Sequence, residues 1–196
     1  MSSIAITTTQ RRVLADVIPR SLLADAALVV GAACLVGLLA QVSFPLGFTP
    51  VPVTGQTLGV LLAGAALGWR RATASMSLYV LAGLAGVPWF EHHASGYPSV
   101  TFGYLLGFVV AGSAVGWLAA RGSDRTVVRA LLSMLLGEVL IFGIGVPRLA
   151  VALHVSLLRA IGLGLTPFLW GEAIKITLAG TALPASWRLV QRSTKQ

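Results

Sequence analysis

Three apolar runs, residues 22–41, 104–120 and 127–146, hold only three charged side chains between them: Asp25, Arg129 and Glu138. Each run is close to the roughly 20 residues that cross a bilayer as a helix. Inside hydrocarbon every backbone N–H and C=O must find an internal partner, which helices provide within one segment. The charge content agrees: 10% of the 196 residues are Asp, Glu, Lys or Arg, where a soluble domain carries about 25%. So few charges cannot cover a water-facing surface. The pattern predicts an all-α integral membrane bundle of six transmembrane helices, over residues 22–43, 54–68, 72–86, 101–120, 127–146 and 166–183.

The net charge of +8 does not mark a nucleic-acid face, because the basic residues alternate in place with the spans. Arg11, Arg12 and Arg20 precede the first span; Arg70 and Arg71 separate the second from the third. Arg121, Arg125 and Arg129 separate the fourth from the fifth, and Arg188, Arg192 and Lys195 follow the last. The segments 44–53 and 87–100 hold no Lys or Arg. Basic loops stay inside, so both termini are expected in the cytoplasm. The expected organisation is a cytoplasmic segment 1–20, a six-helix substrate-binding domain 21–187 and a cytoplasmic tail 188–196 of a multi-pass cell-membrane protein. About twenty mixed, polar-leaning residues precede the first apolar run, unlike a cleavable signal. Cys34 is the only cysteine and lies in an apolar run, as a small packing residue would.

Proline sets the loops. Pro45, Pro50 and Pro52 lack the N–H that a helix needs, so 44–53 reads as an extended, unusually apolar outer loop that folds over something. Trp69, Arg70 and Arg71 read as a tight turn. The stretch 147–165 holds Arg148, His154 and Arg159 and reads as an outer interfacial helix. In the first span, Ala33 and Gly37, and likewise Ala27 and Gly31, stand four apart. Small residues at that spacing admit a close helix, either within the bundle or from a partner subunit.

Charges inside spans are expensive and therefore informative. Glu172 and Lys175 stand three apart, share a helix face and are able to pair, either as a self-contained salt bridge or as a polar site between helices. Glu138 is able to pair with Lys175 or to line a cavity. Thr54, Gln56 and Thr57 either cap the second span or hydrogen-bond a small polar ligand. Trp89, Phe90, Tyr97, Phe102 and Tyr104 suit an interfacial belt or the wall of a pocket. His92 and His93 are adjacent and fit no metal-ligand spacing. No Gly-Lys-Ser/Thr phosphate loop occurs, so this sequence offers no means of nucleotide hydrolysis. No nucleophile–base set appears either, and no enzyme activity is expected.

Four segments in order carry a resemblance. Pro50-Val-Pro-Val-Thr-Gly-Gln-Thr-Leu-Gly-Val-Leu-Leu-Ala-Gly64 resembles the loop-to-helix signature of BioY proteins, the biotin-specific S components of energy-coupling factor (ECF) transporters. Tyr79-Val-Leu-Ala-Gly-Leu-Ala-Gly-Val-Pro-Trp-Phe90 is similar to the end of that family's third helix. Thr101-Phe-Gly-Tyr-Leu-Leu-Gly-Phe108 resembles its Thr-Gly-Gly-Tyr-Leu-x-Gly-Phe motif, with Phe102 in place of the first glycine. Pro167-Phe-Leu-Trp-Gly-Glu-Ala-Ile-Lys175 resembles its Pro-Phe-x-x-Gly-Asp-x-x-Lys motif, with Glu172 in place of aspartate. Gly55 stands where the family often has a larger apolar residue. The likeness extends from about Ala40 to Leu183 and is weakest over 121–159.

The resemblance implies a biotin site near the outer face, drawn from Thr54, Gln56, Trp89, Tyr97, Gly103, Tyr104, Glu172 and Lys175. Glu172 would accept a ureido N–H. Gln56, Thr54 or the backbone near Gly103 would donate to the ureido carbonyl. Lys175, or Arg148 or Arg159 at the mouth, would meet the carboxylate. Trp89, Tyr104 and the loop 44–53 would cover the apolar body. It further implies a transmembrane coupling protein and two ABC-type ATPase subunits as partners, with Ala33 and Gly37 as the docking surface. No cofactor or metal is implied. An S component for thiamine or riboflavin, and a ligand-free membrane scaffold, are the alternatives.

Overall fold

The computed structural model describes residues 13–193. Arg11, Arg12 and Lys195, which enter the charge pattern above, lie outside the described residues. Helix α1 (Leu22–Gln41) starts where the Ser21 hydroxyl accepts the Ala24 N–H at 3.0 Å, satisfying one orphan donor of the first turn. A two-stranded antiparallel ribbon follows, β1 (Ser43–Phe44) against β2 (Val53–Thr54), with Ser43 opposite Thr54. The apolar loop is therefore closed at its base by a ribbon rather than fully extended. The chain continues as α2 (Gln56–Leu67), α3 (Trp69–Leu84), α4 (Phe102–Ala119), α5 (Val127–Leu153), α6 (Leu157–Gly164) and α7 (Leu169–Ser193).

Among the described residues, four segments are long and apolar enough to cross a membrane: Leu22–Gln41, Phe102–Ala119, Val127–Leu153 and Leu157–Arg192. Helices α2 and α3, of 12 and 16 residues, are shorter. At 1.5 Å per residue α2 extends only about 18 Å. It is also the most enclosed element, with Val60, Leu61 and Ala65 fully buried. Helices α1 to α5 and α7 thus form a six-membered membrane bundle, with α6 as an eight-residue connector. Large apolar side chains such as Leu22, Leu38, Leu158 and Trp170 stand exposed on its outside, as lipid contact requires.

Close helix contacts rest on missing side chains. A Cβ on Gly107 of α4 would lie 2.8 Å from the Ile141 Cα of α5. A Cβ on Gly116 would lie 2.6 Å from the backbone at Gly68–Trp69. The junction of α2 and α3 is Gly68 itself, at φ +78°, where a Cβ is unfavourable. Trp69, Arg70 and Arg71 belong to the first turn of α3 and not to the turn before it. Beyond α4, Asp124 is buried and bound by the Trp187 indole N–H and the Arg125 guanidinium. This joins the α4–α5 turn to the end of α7.

Several expectations are corrected. Helix α5 does not stop before Pro147 but continues to Leu153, where His154 adopts a left-handed φ of 54°. The outer helix expected over 147–165 is reduced to α6. Helix α7 passes through Pro184 to Ser193. Prolines are tolerated in such helices because neighbouring groups take up the freed carbonyls. Cys34 is exposed rather than packed. Ala33 and Gly37, expected to form a docking surface, are buried inside the bundle: Ala33 is 0% exposed, and a Cβ on Gly37 would lie 3.2 Å from the Trp89 Cβ. Their small size is used by the chain's own loop. Of the small residues on α1, Ala27 and Gly31 face outward.

Candidate functional site

The segment carrying Val51 and Pro52 lies over a cavity of about 50 Å³ between α2, α4, α5 and α7. Its polar side is built from Gln56, Thr57 and Glu172, each less than 10% exposed. Its apolar side is aromatic, from Tyr104, Phe108, Phe142 and Phe168. Glu91 and Thr101 complete the rim, with the Thr101 hydroxyl donating to Glu91 Oε1 at 3.3 Å.

Glu172 and Lys175 do pair across one turn of α7, at 2.8 Å. The Lys175 ammonium also donates to the Thr54 carbonyl at 2.6 Å and to Thr57 Oγ1 at 3.0 Å. Its three hydrogens are thereby all engaged. Thr57 in turn donates to Glu172 Oε2 at 2.7 Å, so both carboxylate oxygens accept one bond. Charge-assisted bonds of this kind are the stronger ones. The result is a fixed acceptor at the cavity wall, with its ammonium partner set behind it.

Gln56 is oriented by two neighbours. Its Oε1 accepts from Thr54 Oγ1 at 2.9 Å, and its Nε2 donates to the Tyr79 hydroxyl at 2.7 Å. One amide hydrogen remains. Tyr79 is fully buried and donates to the Trp89 carbonyl at 3.3 Å, while Trp89 Nε1 donates to the Tyr79 carbonyl at 2.9 Å. Trp89 therefore braces Tyr79, outside the cavity lining. Tyr104 lines the cavity with its ring and anchors the end of α6 by donating to the Gly164 carbonyl at 2.8 Å.

The structure brings together Thr54, Gln56, Tyr104, Glu172 and, through Glu172, Lys175. Tyr97 and Gly103 lie outside the cavity lining. Tyr97 is exposed and its hydroxyl accepts from Arg148 at 2.6 Å. Gly103 lets the Arg148 stem approach, since a Cβ there would lie 2.5 Å from the Arg148 Cβ. Arg159 is exposed in a separate groove on α6. Glu138 does not pair with Lys175; it is 4% exposed and neither of its oxygens has a hydrogen-bond partner. Among the described residues, no three His, Cys, Asp or Glu side chains converge as a metal site would need.

Sequence reasoning did not place Phe108, Phe142, Phe168, Thr101 and Glu91 at the site. Phe108 and Phe168 lie inside motifs that were in view, whereas Phe142 carried a local signal: it stands four residues after Glu138, on the same face of α5.

The chain is similar to known membrane proteins over most of its length. The family model for the BioY family matches residues 8–192. A biotin transporter BioY of Rhizobium etli is 32% identical over 153 residues, covering 73% of this chain and 80% of that protein. A biotin transporter BioY of Thermotoga maritima is 34% identical over 143 residues, covering 71% and 82% respectively. In three dimensions the fold matches, with a TM-score of 0.75, a crystal structure of the S-component for biotin from an ECF-type ABC transporter. That match covers 89% of this chain and 92% of the other at 22% identity, which speaks for the fold.

Proposed function

The chain belongs to the BioY family, and we propose that it is a biotin-binding S component that captures the vitamin for an ECF-type importer. It is a multi-pass membrane protein of the cell membrane, with six spans and both termini in the cytoplasm. A transmembrane coupling protein and two ABC-type ATPase subunits supply the energy. The chain binds and carries; it makes and breaks no covalent bond.

One observation carries this reading: a cavity with a hydrogen-bonding side and an aromatic side, its polar side drawn from the segments that resemble the family's motifs. Biotin has the same division. Its ureido group offers two N–H donors and a carbonyl acceptor, and its thioether ring and valeryl chain are apolar. Glu172 accepts a ureido N–H. The remaining Gln56 amide hydrogen donates to the ureido carbonyl. Tyr104, Phe108, Phe142 and Phe168 cover the rings, under the roof of Val51 and Pro52. Thr57, Thr54 and Lys175 hold Glu172 in place, so the carboxylate is oriented before the ligand arrives.

Equilibrium binding of biotin to the purified full-length chain tests the assignment. Saturable binding, with thermal stabilisation by biotin and not by thiamine or riboflavin, is the expected result. Well-folded protein that binds no biotin overturns it.

A further inference from the structure

Next to this cavity, α5, α6 and α7 line a second, more open space of about 470 Å³. Its walls are apolar, from residues such as Leu135, Val139, Ile161 and Ile176. Two acidic side chains interrupt them, Glu138 and Glu172. Glu172 and Phe142 line both spaces, so the partition between the two is thin.

Glu138 is the unexplained group. Its carboxyl oxygens are buried and have no hydrogen-bond partner. The ionisable groups that act on it are Glu172 and Lys175, and Lys175 has committed its three hydrogens elsewhere. A carboxyl group left so, near the middle of a membrane helix, is unfavourable unless a donor reaches it. The chain supplies no N–H donor there; the neighbouring carboxyl, Glu172, is the group close enough to share a proton with it.

The ligand reading supplies an N–H. The first cavity alone, at about 50 Å³, falls well short of the roughly 300 Å³ at which small-molecule pockets begin. A bound ligand therefore needs neighbouring space, and the adjoining space lies across Phe142 and Glu172. Each Glu172 oxygen already accepts a bond, whereas the Glu138 oxygens accept none. Resting on the biotin reading, we propose that Glu138 is a second ligand-binding carboxylate. In the loaded state Phe142 shifts to lie against the ligand rings, the two spaces join beside it, and Glu138 accepts one ureido N–H of biotin.

The test combines protein and ligand changes. Affinities are measured for biotin and for its two cyclic carbamate analogues, each with one ureido N–H replaced by oxygen. Wild type, Glu138→Leu and Glu138→Gln are compared. Glu138→Leu weakens biotin by about 5- to 10-fold, the effect of one lost hydrogen bond. For one analogue, and one only, the same substitution adds less than about 3-fold, because the shared bond is already gone. Glu138→Gln, which keeps one acceptor, loses less than Glu138→Leu. Without ligand, Glu138→Leu melts above wild type, since an unpartnered carboxyl is replaced by an apolar group in an apolar cleft. Unchanged biotin affinity, losses that multiply for both analogues, or a lower melting temperature of the ligand-free variant each overturn the assignment. Failure of wild type to bind biotin at all instead removes the ligand reading on which it rests.

Discussion

Replacing Lys175 by methionine keeps most of the stem volume and removes an ammonium that holds three acceptors within 3.0 Å. The pair is well enclosed, with side-chain exposures of 13% for Lys175 and 8% for Glu172. Solvent screening is therefore weak. Removing one member of a buried pair costs about 3–5 kcal/mol, mostly because the other is left uncompensated. For a chain of this size that corresponds to roughly 6–20 °C in melting temperature. The double variant Lys175→Met with Glu172→Gln removes the stranded charge and recovers at least half of that loss. Ligand binding separates two roles for the ammonium. If Lys175 acts by holding Glu172, the single variant weakens biotin and biotin amide equally, by about 10- to 100-fold for one disturbed charged hydrogen bond. Thermal unfolding in detergent and isothermal titration with both ligands measure this. A loss for biotin at least tenfold greater than for the amide would refute the reasoning, because it would place the ammonium on the ligand carboxylate.

Tyr104→Phe leaves the Gly164 carbonyl without its donor and destabilises the chain by about 1–3 kcal/mol, read by thermal unfolding. Gly107→Val drives a branched side chain into the α5 backbone at Ile141 and costs about 1–3 kcal/mol or more; Gly143→Ala, where a Cβ meets nothing within 4 Å, stays near wild type. Burial raises the Asp124 carboxyl above its ordinary range, with Trp187 and Arg125 pulling it part of the way back. The folded state then holds that proton to higher pH than the unfolded chain, so its contribution falls as pH rises from the ordinary carboxylate value through the raised one. Asp124→Asn removes that slope, which melting temperatures between pH 4 and 8 will show.

Helix content, the count of six bundle helices and the Glu172–Lys175 pair were legible because each has a local cause: apolar runs for the first two, three-residue spacing for the pair. Proline was over-read. It removes one N–H, which stops an isolated helix, but within a bundle α5 and α7 run on through Pro147 and Pro184. The face of α1 was not legible at all. That helix is apolar on every side, so spacing shows that Ala33 and Gly37 admit a close neighbour without saying whether it is a partner or Trp89. The Lys175 environment was half legible: the salt bridge follows from α7 alone, but the Thr54 carbonyl and Thr57 hydroxyl come from the far end of β2 and the start of α2. Contacts over more than 100 residues of sequence leave no periodic trace.

Thr54 closes the β-ribbon opposite Ser43, gives its carbonyl to Lys175 and its hydroxyl to Gln56. One residue thus stands in mechanical series between the roof and the two polar anchors beneath it. Displacing Glu172 with its ammonium, or the Gln56 amide, therefore strains the base of the 44–53 loop without any further intermediary.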